Sequence, residues 1–294
     1  MKELPRDEQV RAYLTNIGYD VDMLLKNKNQ LYRSFYIPKK IGFRRIEEPN
    51  PELKAAQRSI LSYLETEGPH PSEYAMAFKK GRGPGRNGSE HKRTAVVLCL
   101  DVKDFFPSIS DHMVERTFKS KIIAELCTRY GRLGQGIPTS PFISNVVARR
   151  MDYEIAGWCK KQDPELKYTR YADDITISCY EKVCMSDAKR VICAIMKKHD
   201  FRPNYDKIRI RRPHQRMLVT GVVVNDFQGT PRPYRRKLRA ELHNALIRAE
   251  FGKEVTPEEV NRLRGKVAWV NSVNTLQGEK LNKQFRELHA TLKK

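Results

Sequence analysis

Three aspartates have the types and spacing to do chemistry in this sequence. Asp101 follows Thr94-Ala-Val-Val-Leu-Cys-Leu100, a continuous apolar, β-branched run. Such a run reads as a strand buried on both faces. The carboxylate that ends it is held rigidly at the sheet edge, where an unpaired charge is costly. Taken alone, Asp101 fits a helix cap or an ion pair at least as well. Asp173 and Asp174 are adjacent, between the strand-like runs Tyr168-Thr-Arg-Tyr171 and Ile175-Thr-Ile-Ser178. Like charges at a tight turn repel. A plain solvated turn is one reading; the flanking tyrosine and β-branched strands favour a divalent cation. Oxygen ligands select Mg2+ or Mn2+. Together the three carboxylates fit two-metal phosphoryl transfer, in which the ions acidify an attacking hydroxyl and stabilise charge on the phosphate. The 72 residues from Asp101 to Asp173 leave room for a helix-containing crossover that returns the chain to a neighbouring strand.

Other elements must hold these residues in place. The first forty residues read as small helices and loops. Tyr36 to Pro49 reads as a hairpin around Gly42, and Pro51 opens a helix with Leu53, Ile60, Leu61 and Leu64 on one stripe. Residues 79–93 hold four glycines and six cations and read as a basic loop that orders on a ligand. Helices are expected over 111–126, 141–160 and 186–199, with strands over 167–179, 208–211 and 217–225. From about 233 the pattern is all helical, over 234–251, 256–270 and 278–292. Thr256-Pro-Glu-Glu259 is a well-formed helix opening.

Composition narrows the partners. The 294 residues are 39% hydrophobic and 31% charged, enough apolar material for a core, with a formal charge of +21. Such a surplus covers a surface and attracts a polyanion, nucleic acid or an anionic membrane. Residues 206–294 carry 20 Lys and Arg against 9 Asp and Glu, so the expected organisation is an α/β catalytic body followed by a basic helical lobe. No apolar run approaches the ~18 residues of a membrane span, and the charged N-terminus has no signal core. The six scattered cysteines suit free thiols in a reducing cytoplasm better than zinc or disulfides.

Three motifs in order resemble the reverse transcriptases. Tyr171-Ala-Asp-Asp174 resembles their Y-x-D-D box, Leu100-Asp-Val-Lys-Asp-Phe-Phe-Pro-Ser108 their first acidic motif, and Gln135-Gly-Ile-Pro-Thr-Ser-Pro-Phe-Ile-Ser-Asn145 the Q-G-x-x-x-S-P-x-x-x-N element between them. The resemblance covers roughly residues 30–225. It implies an α+β right-hand polymerase: a palm sheet backed by helices, fingers, and a C-terminal all-helical thumb. Fingers and palm would occupy 1–230, with fingers about 1–95 and 110–165, and the basic thumb 231–294. It also implies that Asp101 and Asp173, with Asp174 and the Val102 carbonyl, hold two Mg2+ ions, Mn2+ being a substitute. Phe106 matches a gate that rejects a ribose 2′-hydroxyl, although core packing is the commoner fate of a Phe. Asp104 and Gln135 would line the incoming deoxynucleoside triphosphate, which Arg44 and Lys39 or Lys40 would grip. Lys207 matches a proton donor to pyrophosphate, or is a plain surface lysine.

Two elements resemble the bacterial retron branch: Val219-Thr220-Gly221, matching a V-T-G triplet, and Asn87-Gly-Ser-Glu-His91, matching N-A-x-x-H with Gly88 in place of the usual alanine. This resemblance implies that the enzyme binds its own structured non-coding RNA as template and primer. It would prime from a guanosine 2′-hydroxyl and make a branched, RNA-linked single-stranded DNA. It implies a bacterial, cytoplasmic protein in anti-phage defence with a separate effector protein and no membrane. The length leaves no room for an RNase H domain, so host RNase H would remove template. Asn87, His91, Arg211, Arg212, Arg235, Arg236 and the V-T-G residues would touch RNA or DNA, with Arg209, Arg216, Arg232, Lys237 and Arg239 adding charge and Tyr205, His214 and Tyr234 stacking on bases. A solvated basic face is the plainer alternative. The rival identities are another compact bacterial reverse transcriptase that primes differently, and a non-catalytic RNA-binding scaffold.

Overall fold

The computed structural model describes residues 7–39, 42–162 and 166–293. Strands β1 (Tyr32–Pro38) and β2 (Phe43–Pro49) form an antiparallel hairpin. β3 (Val96–Asp101), β4 (Lys167–Tyr171), β5 (Asp174–Cys179) and β6 (Arg209–Arg211) form a sheet in the order β4-β5-β3-β6. β7 (Leu218–Val219) and β8 (Val222–Val223) form a short hairpin. With helices packed on this antiparallel sheet, the fold is α+β.

The apolar run before Asp101 is buried on both faces. Val96, Leu98 and Leu100 join Ile175 and Ile177 of β5 in the main core, against Ile155 of the helix Arg149–Gln162 and Ile192 and Met196 of the helix Ser186–Lys198. Val97 points the other way and packs with Met217, Val219, Val222, Val224 and Val273. Burying one such aliphatic side chain stabilises by ~1.5–3 kcal/mol, so β3 is a rigid mount for the carboxylate at its end.

The three C-terminal helices, Arg232–Glu250, Pro257–Val273 and Thr275–Thr291, close on a core of their own that includes Leu238, Leu242, Leu263, Val267, Leu281 and Leu288. The Thr256 hydroxyl caps the middle helix, accepting from the Glu259 N–H at 3.2 Å. Among the described residues no helix is long and apolar enough to cross a membrane.

Four segments depart from the sequence expectation. The 111–126 run is two helices, Asp111–Phe118 and Lys121–Cys127. Lys119 turns left-handed at φ 52° and the Ser120 hydroxyl caps the second helix through the Ile123 N–H, so a local cap overrides the apolar periodicity. The 141–160 run is likewise two helices, Ser140–Val147 and Arg149–Gln162. The strand expected over 217–225 is the β7–β8 hairpin. Its two-residue loop, Thr220 and Gly221, has φ of 47° and 80°, the positive pair of a type I′ turn. Finally, residues 79–93, expected as a loop, contain the helix Pro84–Ser89. Gly88 is pressed against β8, where an added Cβ would lie 2.9 Å from Val222 Cγ1. That contact accounts for glycine where the motif usually has alanine.

Candidate active site

The register of the central sheet sets Asp101 directly opposite Asp174. The Val102 N–H donates to the Asp173 carbonyl at 2.9 Å, which ties the β4–β5 turn to the end of β3. The turn itself has Ala172 at φ 56°, a left-handed residue that keeps the reversal tight. Asp101 is buried, and both its oxygens are engaged: Oδ2 accepts from Lys207 Nζ at 2.7 Å and Oδ1 from Asn204 Nδ2 at 2.9 Å. Among the described residues no group of three or more His, Cys, Asp or Glu side chains is arranged to hold a metal ion as the side chains stand.

Crowding nevertheless marks the site as cation-seeking. Loss of hydration, then the charges of Asp173 and Asp101, pushes the Asp174 carboxyl up to about 6, with Lys207 opposing. Asp173 is also raised, chiefly by burial and with Asp101 contributing, against its backbone hydrogen bond, Lys207 and Arg44. Three carboxylates that repel one another, two at adjoining strand ends and one in the turn between β4 and β5, are the hard oxygen donors that Mg2+ takes, so the residue types fit a divalent cation. Lys207 is itself raised, first by its hydrogen bond to Asp101.

Arg44 lies on β2, and its charge reaches Asp173. Lys39 stands at the turn, its N–H donating to the Gly42 carbonyl at 3.0 Å. Lys40 lies outside the described residues. Gln135 is joined to the hairpin through its carbonyl, which accepts from the Glu47 N–H at 2.7 Å. Glu47 is held in turn by Arg129 and by Arg45, the latter at 2.7 Å. Asp104, exposed at φ 50°, precedes the short helix Phe105–Ser108 that carries Phe106. Phe106 is partly buried, with its ring 5.6 Å from Phe105 and 6.1 Å from Phe78, centroid to centroid.

Beneath the carboxylate turn is a network that sequence reasoning missed. Arg170 and Asp152 are both fully buried. The guanidinium donates to Asp152 twice, Nε at 2.7 Å and Nη2 at 2.8 Å, and Nη1 reaches Asn145 Oδ1 at 3.0 Å and the Ala172 carbonyl at 3.1 Å. Asp152 also accepts from the Tyr168 hydroxyl at 2.7 Å and from Ser72. The signal was present: Asp152 sits between Met151 and Ile155 on the apolar stripe of its helix.

The residues expected to touch nucleic acid divide. Asn87 and Thr220 meet, Asn87 Nδ2 donating to Thr220 Oγ1 at 3.4 Å, so the N-x-x-x-H helix and the V-T-G turn form one unit. Yet Asn87, His91 and Val219 are buried. Both His91 ring nitrogens are engaged, by Ser178 Oγ and Thr169 Oγ1, each at 2.7 Å. Burial, then Lys167, lowers the His91 pKa to about 3, so it stays neutral. In this structure these three side chains pack into the scaffold, and Thr220 and the exposed Gly221 form its surface. Arg212 and Arg236 are exposed, while Arg211 and Arg235 are half-buried. Burial and the neighbouring charges of Arg239 and Arg232 lower the Arg235 pKa, a strain that a polyanion would relieve.

An antiparallel sheet bearing Asp101 and Asp174, a hairpin carrying Arg44 and a C-terminal helical lobe with its own core make the α+β architecture of a right-hand polymerase. Residues 37–224 match the reverse transcriptase (RNA-dependent DNA polymerase) family. The chain is 31% identical to the retron Mx162 reverse transcriptase of Myxococcus xanthus, over 88% of this chain and 61% of the relative. It is 30% identical to the retron Ec73 reverse transcriptase of Escherichia coli, over 84% of both chains. It spans about three-fifths of the Myxococcus relatives it matches, 61% and 63% of their lengths. A telomerase from Candida albicans, solved with a fragment of telomeric RNA, shares the fold with a TM-score of 0.51 and 12% identity, covering 94% of this chain and 59% of that one. The chain belongs to the reverse transcriptase family, in the company of its retron members.

Proposed function

We propose that this protein is an RNA-directed DNA polymerase of a retron. It copies part of its own structured non-coding RNA into a branched, RNA-linked single-stranded DNA primed from a guanosine 2′-hydroxyl. The observation that carries this reading is the register that sets Asp101 opposite Asp174, with the charge of Arg44 reaching the neighbouring Asp173. In this reading fingers lie before about 95 and over 110–165, the palm makes up the remainder to 230, and the thumb is 231–294.

Asp101, Asp173 and Asp174, with the Val102 carbonyl, would hold two divalent cations, Mg2+ or in its place Mn2+. Such ions, when bound, supply charge neutralisation and a more acidic attacking hydroxyl. The chain's own residues do the rest. Arg44, with Lys39 or Lys40, binds the triphosphate, an anion that the Arg fork suits. Gln135 and Asp104 orient the deoxynucleotide. Phe106 excludes a 2′-hydroxyl from the sugar position. Lys207, kept protonated beside Asp101, gives a proton to the leaving pyrophosphate. Arg211, Arg212, Arg235 and Arg236, with Thr220 and Gly221, bind phosphate and sugar of the structured RNA. Deoxynucleoside triphosphates are the substrates, a separate effector protein and host RNase H the partners, the bacterial cytoplasm the setting and anti-phage defence the role.

The test is the nucleic acid that co-purifies with protein from its native operon, treated with RNase, with a debranching enzyme, or with neither. A discrete DNA that shortens on debranching is expected. DNA indifferent to debranching would exclude 2′-priming, and RNA alone would remove the claim of a stable DNA product.

A further inference from the structure

We infer that Phe78 is a specificity-determining positioning residue, which packs against the ring of Phe106 and restrains it together with Phe105. The inference rests on the polymerase reading above. Phe78 is a bulky residue at φ 58°, a left-handed conformation that an L side chain adopts only under constraint. Its ring is 50% exposed, so burial of the ring does not impose that conformation. Strained residues of this kind persist where the surroundings over-determine them, and they collect at functional sites.

The surroundings here are fully specified. The Ala77 carbonyl accepts from Asn145 Nδ2 at 2.9 Å, and the Met76 N–H donates to the Arg170 carbonyl at 2.7 Å. The Arg170 N–H donates to the Tyr74 carbonyl at 2.9 Å, so residues 74–76 run alongside the start of the carboxylate turn. Asn145 and Arg170 are buried and joined to each other. One buried network thus fixes two things. It holds Ala172 in the carboxylate turn, and it holds the backbone that turns Phe78 outward.

What Phe78 meets there is Phe106, at 6.1 Å between centroids and 45° between planes. Phe105 meets the same ring at 5.6 Å and is itself backed by Phe201 at 5.8 Å. Phe106 therefore has two aromatic neighbours, Phe105, which Phe201 backs, and Phe78. A ring that discriminates by bulk works only if it cannot rotate away, and removing Phe78 frees that rotation.

The experiment uses the full chain on a defined RNA template with an annealed DNA primer. It reads the ratio of kcat/KM for dATP to that for ATP in single additions. Phe78→Ala, Phe78→Gly, Phe106→Ala and Phe78→Ala/Phe106→Ala are compared with wild type. Phe78→Ala and Phe78→Gly are each expected to lose ~10-fold of the ratio. The double variant is expected to match Phe106→Ala, because the brace acts only through that ring. Phe78→Gly should melt no lower than Phe78→Ala, since glycine takes φ 58° freely; that separates the ring from the backbone. An unchanged ratio in both Phe78 variants overturns the inference, as do losses that multiply in the double variant. A ratio unmoved by Phe106→Ala removes the gate and the brace together, and wild type that extends nothing removes the polymerase reading.

Discussion

Asp152, on the helix Arg149–Gln162, and Asp174, at the start of β5, have opposite circumstances. Asp152 is fully buried, yet Arg170, Tyr168 and Ser72 all donate to it. Asp174 stands opposite Asp101 and beside Asp173, and its carboxyl is pushed up to about 6 by lost hydration and by like charge. The first carboxylate has its compensation inside the protein; the second is arranged to take it from outside. The difference separates a carboxylate that builds the fold from one that does chemistry, and burial alone would have ranked them the other way.

That contrast can be broken most sharply by neutralising one member of each group. Asp174→Asn is expected to reduce primer extension by ~10^3-fold or more, as loss of a charge-stabilising group at a reacting phosphate does. Its melting temperature at pH 7.5 should hold or rise. The sign follows from the raised pKa: Asp174 charges less readily folded than unfolded, so ionisation above the unfolded value destabilises the fold, and asparagine removes that penalty. A falling melting temperature would place Asp174 with Asp152. Asp152→Asn or Arg170→Met should do the reverse. Each leaves a buried partner uncompensated, and the expected cost is ~3–5 kcal/mol in denaturant unfolding. Loss of activity in these variants should track loss of fold.

A smaller effect tests the neutral, buried His91. Its folded pKa of about 3 lies below the unfolded value, so its contribution is complete above pH 6.5 and is lost as pH falls. Between pH 7.5 and pH 5 this amounts to ~2 kcal/mol. His91→Gln should flatten that slope, measured by urea unfolding at the two pH values; an unchanged slope would mean that His91 does not hold the sheet in neutral form. The smallest effect concerns the basic surface. Arg236→Gln should lower the salt dependence of RNA binding by about one released counterion, with DNA synthesis on a saturating template little changed.

Much of this was legible in the sequence because chemistry and pattern coincide there. An apolar run ending in Asp101, and two acids between β-branched strands, place three carboxylates at strand ends without further help. What was not legible is what depends on distant partners. His91 reads as a polar residue in a basic loop, but its hydroxyl partners lie 78 and 87 residues away on β4 and β5. Asp152 stands on the apolar stripe of the helix Arg149–Gln162, which marks it as buried, but its partner Arg170 is visible only in the fold. Thr220 and Gly221 fall in an otherwise apolar run; the turn they form needs two positive φ angles that hydrophobic periodicity does not report. Phe78 is one more aromatic in the sequence, and only its backbone angle and its neighbour Phe106 distinguish it.

The most direct measurement is extension of a DNA primer on an RNA template by wild type and by Asp173→Asn, with Mg2+, deoxynucleotides and matched melting curves. The account predicts full-length DNA from wild type and none from Asp173→Asn at an equal or higher melting temperature. DNA made by Asp173→Asn at the wild-type rate would contradict it.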